Sequence, residues 1–330
     1  MIDIQGAGTT TQSQATTKPP RLTSERVLEY SMLGVLLALT VAATAIYPRF
    51  LELGNLSIVL SQYAPLGVVA VGMTLVIIAG GFDLSVGAIF AAGATTAAAL
   101  APQYGVPVAF LLALVGGVVL GFVNALGVTL LRVNPFITTL GTSSLYAGAV
   151  LLLSNSTAFS VTNPEFQLLG TGSVLGIPNT IIVLIVVFAA GSVVLNFTSF
   201  GRGIYAVGGS REAARLSGIR VDFVTGSTYV IAGFLAALAG VMTASQQGAG
   251  QGSMGATVAL DAIAIVVIGG TSLVGGEGKL WRTAVGMLIL AVLDNIFYSL
   301  AVDSNAQLIF KGTIIIAAVA ADQLVRRGRR

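Results

Sequence analysis

The sequence contains no cysteine and no histidine, and only 9% of its 330 residues are charged. These absences exclude disulfide bonds, thiolate metal sites and imidazole chemistry, and we expect neither a metal site nor a cofactor. A soluble domain usually has about 25% charged residues, whereas 55% of this chain is hydrophobic. So few charges would not cover so large an apolar core in water. The composition therefore predicts an integral membrane protein.

Apolar runs of about 17–25 residues are long enough to cross the ~30 Å hydrocarbon core of a bilayer. They predict an all-α integral membrane protein of about ten transmembrane helices. The runs cover residues 30–47, 56–79, 84–101, 106–131, 136–153, 180–195, 226–245, 260–274, 280–300 and 307–324. The eighth run is short, and a complete span and a broken or re-entrant helix are both open for it.

The distribution of basic residues favours cytoplasmic termini. With ten spans and the N-terminus inside, 14 of the 16 basic residues lie in the cytoplasm and only Arg49 and Lys311 lie outside, as the positive-inside rule predicts. We expect residues 1–27 to be a disordered cytoplasmic tail and residues 326–330 a basic cytoplasmic tail. Between them, residues 28–325 form one polytopic domain, whose longest outer loop is 154–179.

Residues 199–220 form a polar segment, punctuated by glycine, between apolar runs. Ser210 is placed to cap a helix and Gly218 to end it, which predicts a helix of about two turns over residues 211–217. So short a helix is marginal in water and needs support. A docking surface for a partner and an ordinary basic loop are both compatible with this pattern.

A few charged residues fall at membrane depth. Asp83 and Asp261 each precede or open a span, where capping of helix amides explains them and gating is the alternative. Asp294 lies well inside the ninth span beside Asn295, where a carboxylate costs at least ~2.5 kcal/mol. Lys311 of the tenth span is a candidate partner for Asp294. A structural ion pair and a role in a solute pathway are both open.

Polar side chains follow one face of the fifth span, because Thr139, Ser143 and Tyr146 have helical spacing. A neutral, hydroxyl-rich solute needs donors and acceptors along its route, but Ser and Thr also bond their own helix. The candidate pathway residues of the fourth and fifth spans are Asn124, Thr138, Thr139, Thr142, Ser143 and Tyr146.

Four blocks of sequence resemble the membrane permeases of bacterial ATP-binding-cassette importers, in their ribose-type sugar branch. They are Gly-Gly-Phe-Asp-Leu-Ser-Val-Gly at 80–87, Asn-Pro-Phe-Ile-Thr-Thr-Leu-Gly-Thr at 134–142, residues 201–219, and residues 261–264 with 268–273 and 275–278. Phe82 stands where that branch has Ile, and Ser210 where it usually has Asn. A weaker likeness involves Asp294-Asn295 and Lys311-Gly312.

The resemblance implies a multi-pass permease subunit of the bacterial inner (plasma) membrane that imports a small sugar. It implies separate ATPase subunits, a periplasmic or extracellular solute-binding protein and a second permease chain, which we expect to be a second copy of this one. The chain itself is expected to be neither an enzyme nor a nucleic-acid binder. It has no phosphate-binding loop, since Gly278-Lys279 is followed by Leu280 where that motif needs a hydroxyl.

The resemblance also assigns coupling to the ATPase to the cytoplasmic loop 197–225. The residues that it points to are Arg202, Tyr205, Gly208, Gly209, Ser210, Arg211, Glu212, Ala213, Ala214, Arg215, Leu216 and Gly218.

Three alternatives are considered. An ion-coupled secondary transporter would be expected to carry several buried acidic residues near the midplane, and here Asp294 alone is well placed. A related permease for another small solute, such as branched-chain amino acids, would lack the block at 80–87. A membrane hydrolase or transferase is disfavoured by the absence of His and Cys.

Overall fold

The computed structural model describes residues 22–327, and over these residues the chain is mostly helical. The helices are α1 Leu22–Ile46, α2 Leu53–Ile78, α3 Val86–Tyr104, α4 Val106–Thr129, α5 Pro135–Leu153, α6 Pro164–Thr171, α7 Asn179–Phe197, α8 Ser199–Gly209, α9 Arg211–Leu216, α10 Val221–Gln247, α11 Val258–Ile268, α12 Leu280–Ser299 and α13 Ser304–Arg327. Four two-residue strands accompany them: β1 Phe159–Ser160, β2 Ser173–Val174, β3 Ile177–Pro178 and β4 Ala249–Gly250.

Seven of the described helices, α2, α3, α4, α5, α7, α10 and α12, are long and apolar enough to cross a membrane. The predicted all-α membrane fold is confirmed at this level. Helices also lie at the three other predicted spans, but the described apolar stretches Met32–Ile46 in α1 and Val258–Ile268 in α11 are shorter. The count of ten spans is therefore a proposal, taken up below.

The structure describes a short part of each expected tail, residues 22–27 and 326–327. Helix α1 begins at Leu22, so it includes residues 22–27, which the sequence pattern assigns to the disordered tail. The apolar residues Val27 and Leu28 lengthen the first hydrophobic run toward the N-terminus. Residues 1–21 and 328–330 lie outside the described part of the chain.

The eighth predicted span is a broken helix. Helix α11 covers only Val258–Ile268, about 16 Å at 1.5 Å per residue. It ends at two glycines, of which Gly270 has a φ of +70° that favours glycine. Residues 252–257, which precede α11, form turns. The short helix thus agrees with the alternative of a broken or re-entrant helix.

Helix α10 lies at the centre of the bundle and packs on α2, α3 and α4. Small residues allow the close approach, because a Cβ built on Gly117 of α4 would lie 2.6 Å from the Gly233 carbonyl oxygen of α10. Similarly, a Cβ on Gly93 of α3 would lie 2.7 Å from the Ala237 carbonyl oxygen. Glycines that weaken helices in water therefore serve here to bring backbones together.

The bundle has a buried side and an apolar exposed side. Helices α2, α3 and α10 are largely buried, whereas α4, α5 and α7 leave most of their residues outside the core. Among their exposed side chains are Leu111, Phe122, Leu145 and Ile185. An apolar surface of this extent requires lipid or another chain to cover it.

The long loop 154–179 folds over one end of the bundle. Its strand β1 pairs with β4, which follows α10, and β2 pairs with β3 in a short hairpin. The Ser245 hydroxyl near the end of α10 donates a 2.6 Å hydrogen bond to the Phe166 carbonyl and accepts a 2.7 Å bond from the Gly170 amide. Since α10 is about 40 Å long, this loop and helix α9 lie at opposite ends of the bundle.

Candidate functional site

The predicted two-turn helix is present as α9, Arg211–Leu216. The Ser210 hydroxyl accepts a 3.2 Å hydrogen bond from the Ala213 amide, which caps the helix. Gly218 follows the helix with a φ of +80°, the conformation that favours glycine. Glu212 lies in the first turn, where the helix dipole favours an anion. Both predicted end signals are thus used, and the helix prediction is confirmed.

Helix α9 presents charged side chains outward while one small residue fixes it to the bundle. Ala214 is buried, and Tyr205 and Gly208 of the preceding helix are half-buried. Among the coupling candidates, the exposed residues are Arg202, Gly209, Ser210, Arg211, Glu212, Ala213, Arg215, Leu216 and Gly218. Because most of α9 is exposed and carries charged side chains, a second molecule can contact it.

Helix α8, Ser199–Gly209, was not predicted from the sequence. The Thr198 hydroxyl caps it by accepting a 3.0 Å hydrogen bond from the Gly201 amide. Its side chains Ile204 and Val207, three residues apart, are buried. Glycine residues disfavour an isolated helix. Because α8 forms nevertheless, burial of its apolar face outweighs the low helix propensity of this segment.

Two distant segments meet on α8. A Cβ built on Gly208 would lie 2.5 Å from the Gly276 amide nitrogen, and the Ile78 carbonyl is in contact on the same side. The Gly276 amide donates a 2.8 Å hydrogen bond to that Ile78 carbonyl. The Tyr205 hydroxyl donates a 2.8 Å bond to the Gly278 carbonyl. Helix α8 is therefore held between the end of α2 and the turn that precedes α12.

Burial raises the pKa of the Tyr205 phenol above its ordinary value. The hydroxyl therefore keeps its proton and remains a hydrogen-bond donor to the Gly278 carbonyl.

A groove of about 630 Å³ runs beside α9, between the α4–α5 turn and the start of α10. The Arg211 guanidinium on its wall donates a 3.1 Å hydrogen bond to the Thr225 hydroxyl of α10. The charged residues that line the groove are Arg132, Arg211, Glu212, Arg215, Arg220 and Asp222. Four arginines against two carboxylates give this groove a net positive charge, which favours a partner surface with an excess of negative charge.

Asp83 belongs to a buried network that joins three helices. Its carboxylate accepts hydrogen bonds from the Ser85 amide at 2.9 Å and the Ser85 hydroxyl at 2.6 Å. The Asn124 side-chain amide of α4 donates a 2.6 Å bond to that hydroxyl, and the Tyr146 hydroxyl of α5 donates a 3.3 Å bond to Asn124 Oδ1. All four side chains are buried. Asp83 thus bonds the residue that precedes α3 and no amide within that helix, and its other oxygen, Oδ2, is buried with no hydrogen-bond partner among the described residues.

The remaining polar residues of the fifth span are only partly available to a solute. Thr139 is buried and its hydroxyl donates a 2.9 Å bond to the Pro135 carbonyl, while the Thr142 hydroxyl donates a 3.3 Å bond to the Thr139 carbonyl. Thr138 and Ser143 are half-buried. The α5 face therefore uses several of its donors within its own helix, the alternative stated from the sequence.

Asp294 and Lys311 form an ion pair, with 2.8 Å between Nζ and Oδ2. The Tyr63 hydroxyl of α2 donates to the same carboxylate oxygen. The other oxygen, Oδ1, is buried and has no hydrogen-bond partner among residues 22–327. Asp261 is half-buried in the first turn of α11, and Lys311 attracts its charge as well. The candidate partners Asp294 and Lys311 of the ninth and tenth predicted spans are therefore in contact.

A cavity of about 740 Å³ opens beside this pair, at the end of the bundle away from α9. Its lining is Ile58, Gln62, Tyr63, Thr243, Gln246, Gln247, Asp294, Asn295 and Tyr298. Of these, only Asp294 and Asn295 were proposed from the sequence. The available signal was two polar pairs, Gln62-Tyr63 within the apolar helix α2 and Gln246-Gln247 at the end of α10.

Membrane-length helices, a polar cavity at one end and a charged helical corner at the other are the features of a membrane transport subunit. The chain belongs to the family described as branched-chain amino acid transport system / permease component, whose profile matches residues 55–319. It is therefore a multi-pass membrane transport subunit rather than an enzyme.

Curated relatives cover nearly the whole chain. The ribose import permease protein of Haemophilus influenzae is 37% identical over 301 residues, which are 90% of this chain and 93% of the relative. The Bacillus subtilis ribose import permease protein is 40% identical over 291 residues, 87% and 90% of the two chains. The D-allose transport system permease protein of Escherichia coli is 32% identical over 329 residues, 98% and 100%. No solved structure matches the chain significantly.

These relatives confirm the resemblance to ribose-type permeases that the four sequence blocks carried. Permeases of this class act with a separate ATPase and a substrate-binding partner.

Proposed function

We propose that the chain carries a monosaccharide inward across the bacterial inner membrane as the permease of an ATP-driven importer. The ribose and D-allose permeases named above support a sugar as the solute. Ten spans with cytoplasmic termini are the proposed topology, because this arrangement places 14 of the 16 basic residues inside. A second copy of this chain completes the pore.

Helix α9 is the proposed contact with the ATPase subunit. Its exposed Arg211, Glu212 and Arg215 offer charges to a partner groove, and buried Ala214 joins it to the bundle. The observation that carries the proposal is the contact of Gly208 with the Ile78 carbonyl and the Gly276 amide. Through this contact, a displacement of the α8–α9 corner pushes directly on the end of α2 and on the turn before α12.

The proposed cycle needs no chemistry on the solute. ATP binding closes the separate ATPase pair, the α8–α9 corner moves with it, and the pathway between two permease copies changes from one side to the other. The residues of this chain contribute contact and packing, and the free energy comes from ATP hydrolysis in the partner.

The polar cavity supports a neutral, hydroxyl-rich solute over a branched-chain amino acid. Gln62, Gln246 and Asn295 offer donors and acceptors, and the free Asp294 oxygen can accept hydroxyl hydrogens. An amino acid would also bring a carboxylate, and the charged side chain among the described residues that line this cavity is the acidic Asp294, with no Arg or Lys beside it in the lining. We infer that the cavity is an outer vestibule for the sugar.

The contacts of Asp294 weigh against an ion-coupled secondary transporter. One of its oxygens already binds Lys311 and Tyr63, so the carboxylate is charge-compensated within the chain. A coupling site for protons or sodium is expected to exchange its cation during transport.

Reconstitution of the permease with its ATPase and binding protein tests the function. Proteoliposomes are loaded with ATP or with a non-hydrolysable analogue, and uptake of radiolabelled D-ribose, D-allose and L-leucine is followed with and without a proton and sodium ionophore. We expect sugar uptake that requires hydrolysable ATP and survives the ionophore. Uptake by the permease alone, abolished by the ionophore, would establish the secondary transporter instead. ATP-driven uptake of L-leucine without sugar uptake would replace the sugar by an amino acid.

A further inference from the structure

Residues 251–257 form an irregular segment at membrane depth. The preceding Gly250 packs against Ala94 in the middle of α3, and Gly255 packs against Gly87 near the start of that helix. The seven residues from Gly87 to Ala94 span about 10 Å at 1.5 Å per residue. The segment therefore runs beside the first half of a helix that is long enough to cross the ~30 Å hydrocarbon core, and so lies at membrane depth.

This segment is polar and exposed. The side chains of Gln251, Ser253 and Thr257 are exposed on the surface of the chain. The turns are held by long bonds: the Met254 amide lies 3.3 Å from the Gln251 carbonyl, and the Ala256 amide lies 3.3 Å from the Ser253 carbonyl. Backbone groups in such turns need further partners, which water supplies and hydrocarbon does not.

Irregular backbone at membrane depth does not face lipid. It occurs where protein buries it or where it lines a water-filled cavity, because each unsatisfied polar group in hydrocarbon costs several kcal/mol. The described part of the chain leaves residues 251, 253 and 257 exposed. A surface beyond the described residues, or water, must therefore satisfy them.

We propose that residues 251–257 line the aqueous solute pathway, on the face that a second copy of this chain completes. The proposal rests on the proposed function. The amide of Gln251, the hydroxyls of Ser253 and Thr257 and the turn carbonyls provide the donors and acceptors that a neutral, hydroxyl-rich solute needs.

The same face includes part of α5. Gly252 packs so closely on that helix that a Cβ there would lie 2.9 Å from the Leu151 side chain and 3.2 Å from Val150. Half-buried Ser143 lies two turns further along α5. The broken eighth span thereby brings a polar strip beside the helix that the sequence singled out, although it was not itself among the predicted pathway residues.

The sequence contains no cysteine, so a thiol reagent has no target in the natural chain and labels only a cysteine that is introduced. Ser253→Cys and Thr257→Cys are introduced singly into the full chain, which is assembled with its ATPase in nanodiscs. A charged, membrane-impermeant methanethiosulfonate reagent measures water access at each site. The matched control is Val119→Cys in the middle of α4, whose side chain is 52% exposed on the apolar side.

We expect the cysteines at 253 and 257 to react at least tenfold faster than the cysteine at 119. Their rates should differ between the nucleotide-free and vanadate-trapped states, since the pathway opens to one side at a time, and D-ribose should slow them. Rates equal to those at 119 in both states would overturn the proposal. Slow labelling together with disulfide formation between two copies would also overturn it, since the segment would then be a dry interface.

ATP-driven sugar uptake by the same variants, reconstituted in proteoliposomes with the ATPase and the binding protein, separates this inference from the proposed function. Slow labelling in a complex that still imports sugar refutes only the pathway assignment. Failure of the cysteine-free chain to import sugar with its partners refutes the function.

Discussion

The Gly276 amide donates a 2.8 Å hydrogen bond to the Ile78 carbonyl, and Gly208 lies against both groups. The bond joins the end of α2 to the turn before α12, and α8 passes directly beside it. No side chain fits at position 208 without moving one of these backbones. The exposed helix α9 is thus connected to the spans by backbone contact rather than by a flexible loop.

Replacing Gly208 should loosen this corner. In Gly208→Ala the new Cβ would meet the Ile78 carbonyl and the Gly276 amide, and overpacking of this kind costs about 1–3 kcal/mol. We expect a lower unfolding temperature and a reduced amount of sugar imported per ATP. Gly209→Ala is the matched control, because a Cβ there has nothing within 4 Å. Equal behaviour of the two variants would show that the close contact at 208 has no consequence.

The cap of α9 should be replaceable by another capping residue. Ser210→Ala removes the acceptor for the Ala213 amide and should destabilise the helix by about 1 kcal/mol. Amide hydrogen exchange at Ala213 should then speed up roughly fivefold. Ser210→Asn retains a side-chain acceptor and should keep the original rate. If Ala and Asn exchange alike, the cap does not hold α9.

The Asp294–Lys311 pair should behave as a compensated buried charge. Asp294→Asn leaves Lys311 with an incomplete partner and should cost about 3 kcal/mol, at the low end for a buried pair because Lys311 keeps some exposure. The double variant Asp294→Asn with Lys311→Met should recover much of this loss in thermal unfolding of the detergent-solubilised chain. A double variant no more stable than the single one would show that the pair is not what stabilises the site.

The same variants separate stability from transport. If the free Asp294 oxygen serves the vestibule, the double variant remains slow in sugar uptake although its stability returns. Normal uptake by the double variant would make Asp294 purely structural.

The structural features that the sequence predicted well depend mainly on the chemistry of individual residues and their near neighbours. Ser210 and Gly218 mark the ends of α9 because capping and a positive φ depend on few neighbouring atoms. The pairing of Asp294 with Lys311 followed from the cost of leaving an isolated charge in lipid. Asp83 likewise uses a neighbouring residue, Ser85, as its main partner.

Features that depend on tertiary contact were missed. Helix α8 is stabilised by burial of Ile204 and Val207, which no local propensity encodes. The Tyr63 contact with Asp294 joins residues of α2 and α12 that are far apart in sequence. The irregular path of residues 251–257 depends on the close approach of Gly255 to Gly87. Hydropathy alone places this polar segment before the short eighth run and predicts no structure for it.

The ratio of sugar imported to ATP hydrolysed tests the central claim most directly, since that claim assigns the driving contact to α9. The variants Glu212→Lys and Arg215→Glu are compared with the paired swap Arg49→Glu and Glu52→Lys, an exposed ion pair in the α1–α2 turn. We predict that each α9 reversal lowers the ratio at least fivefold, while the control pair keeps the wild-type ratio. A wild-type ratio in both α9 variants would contradict the assignment of the ATPase contact to this helix.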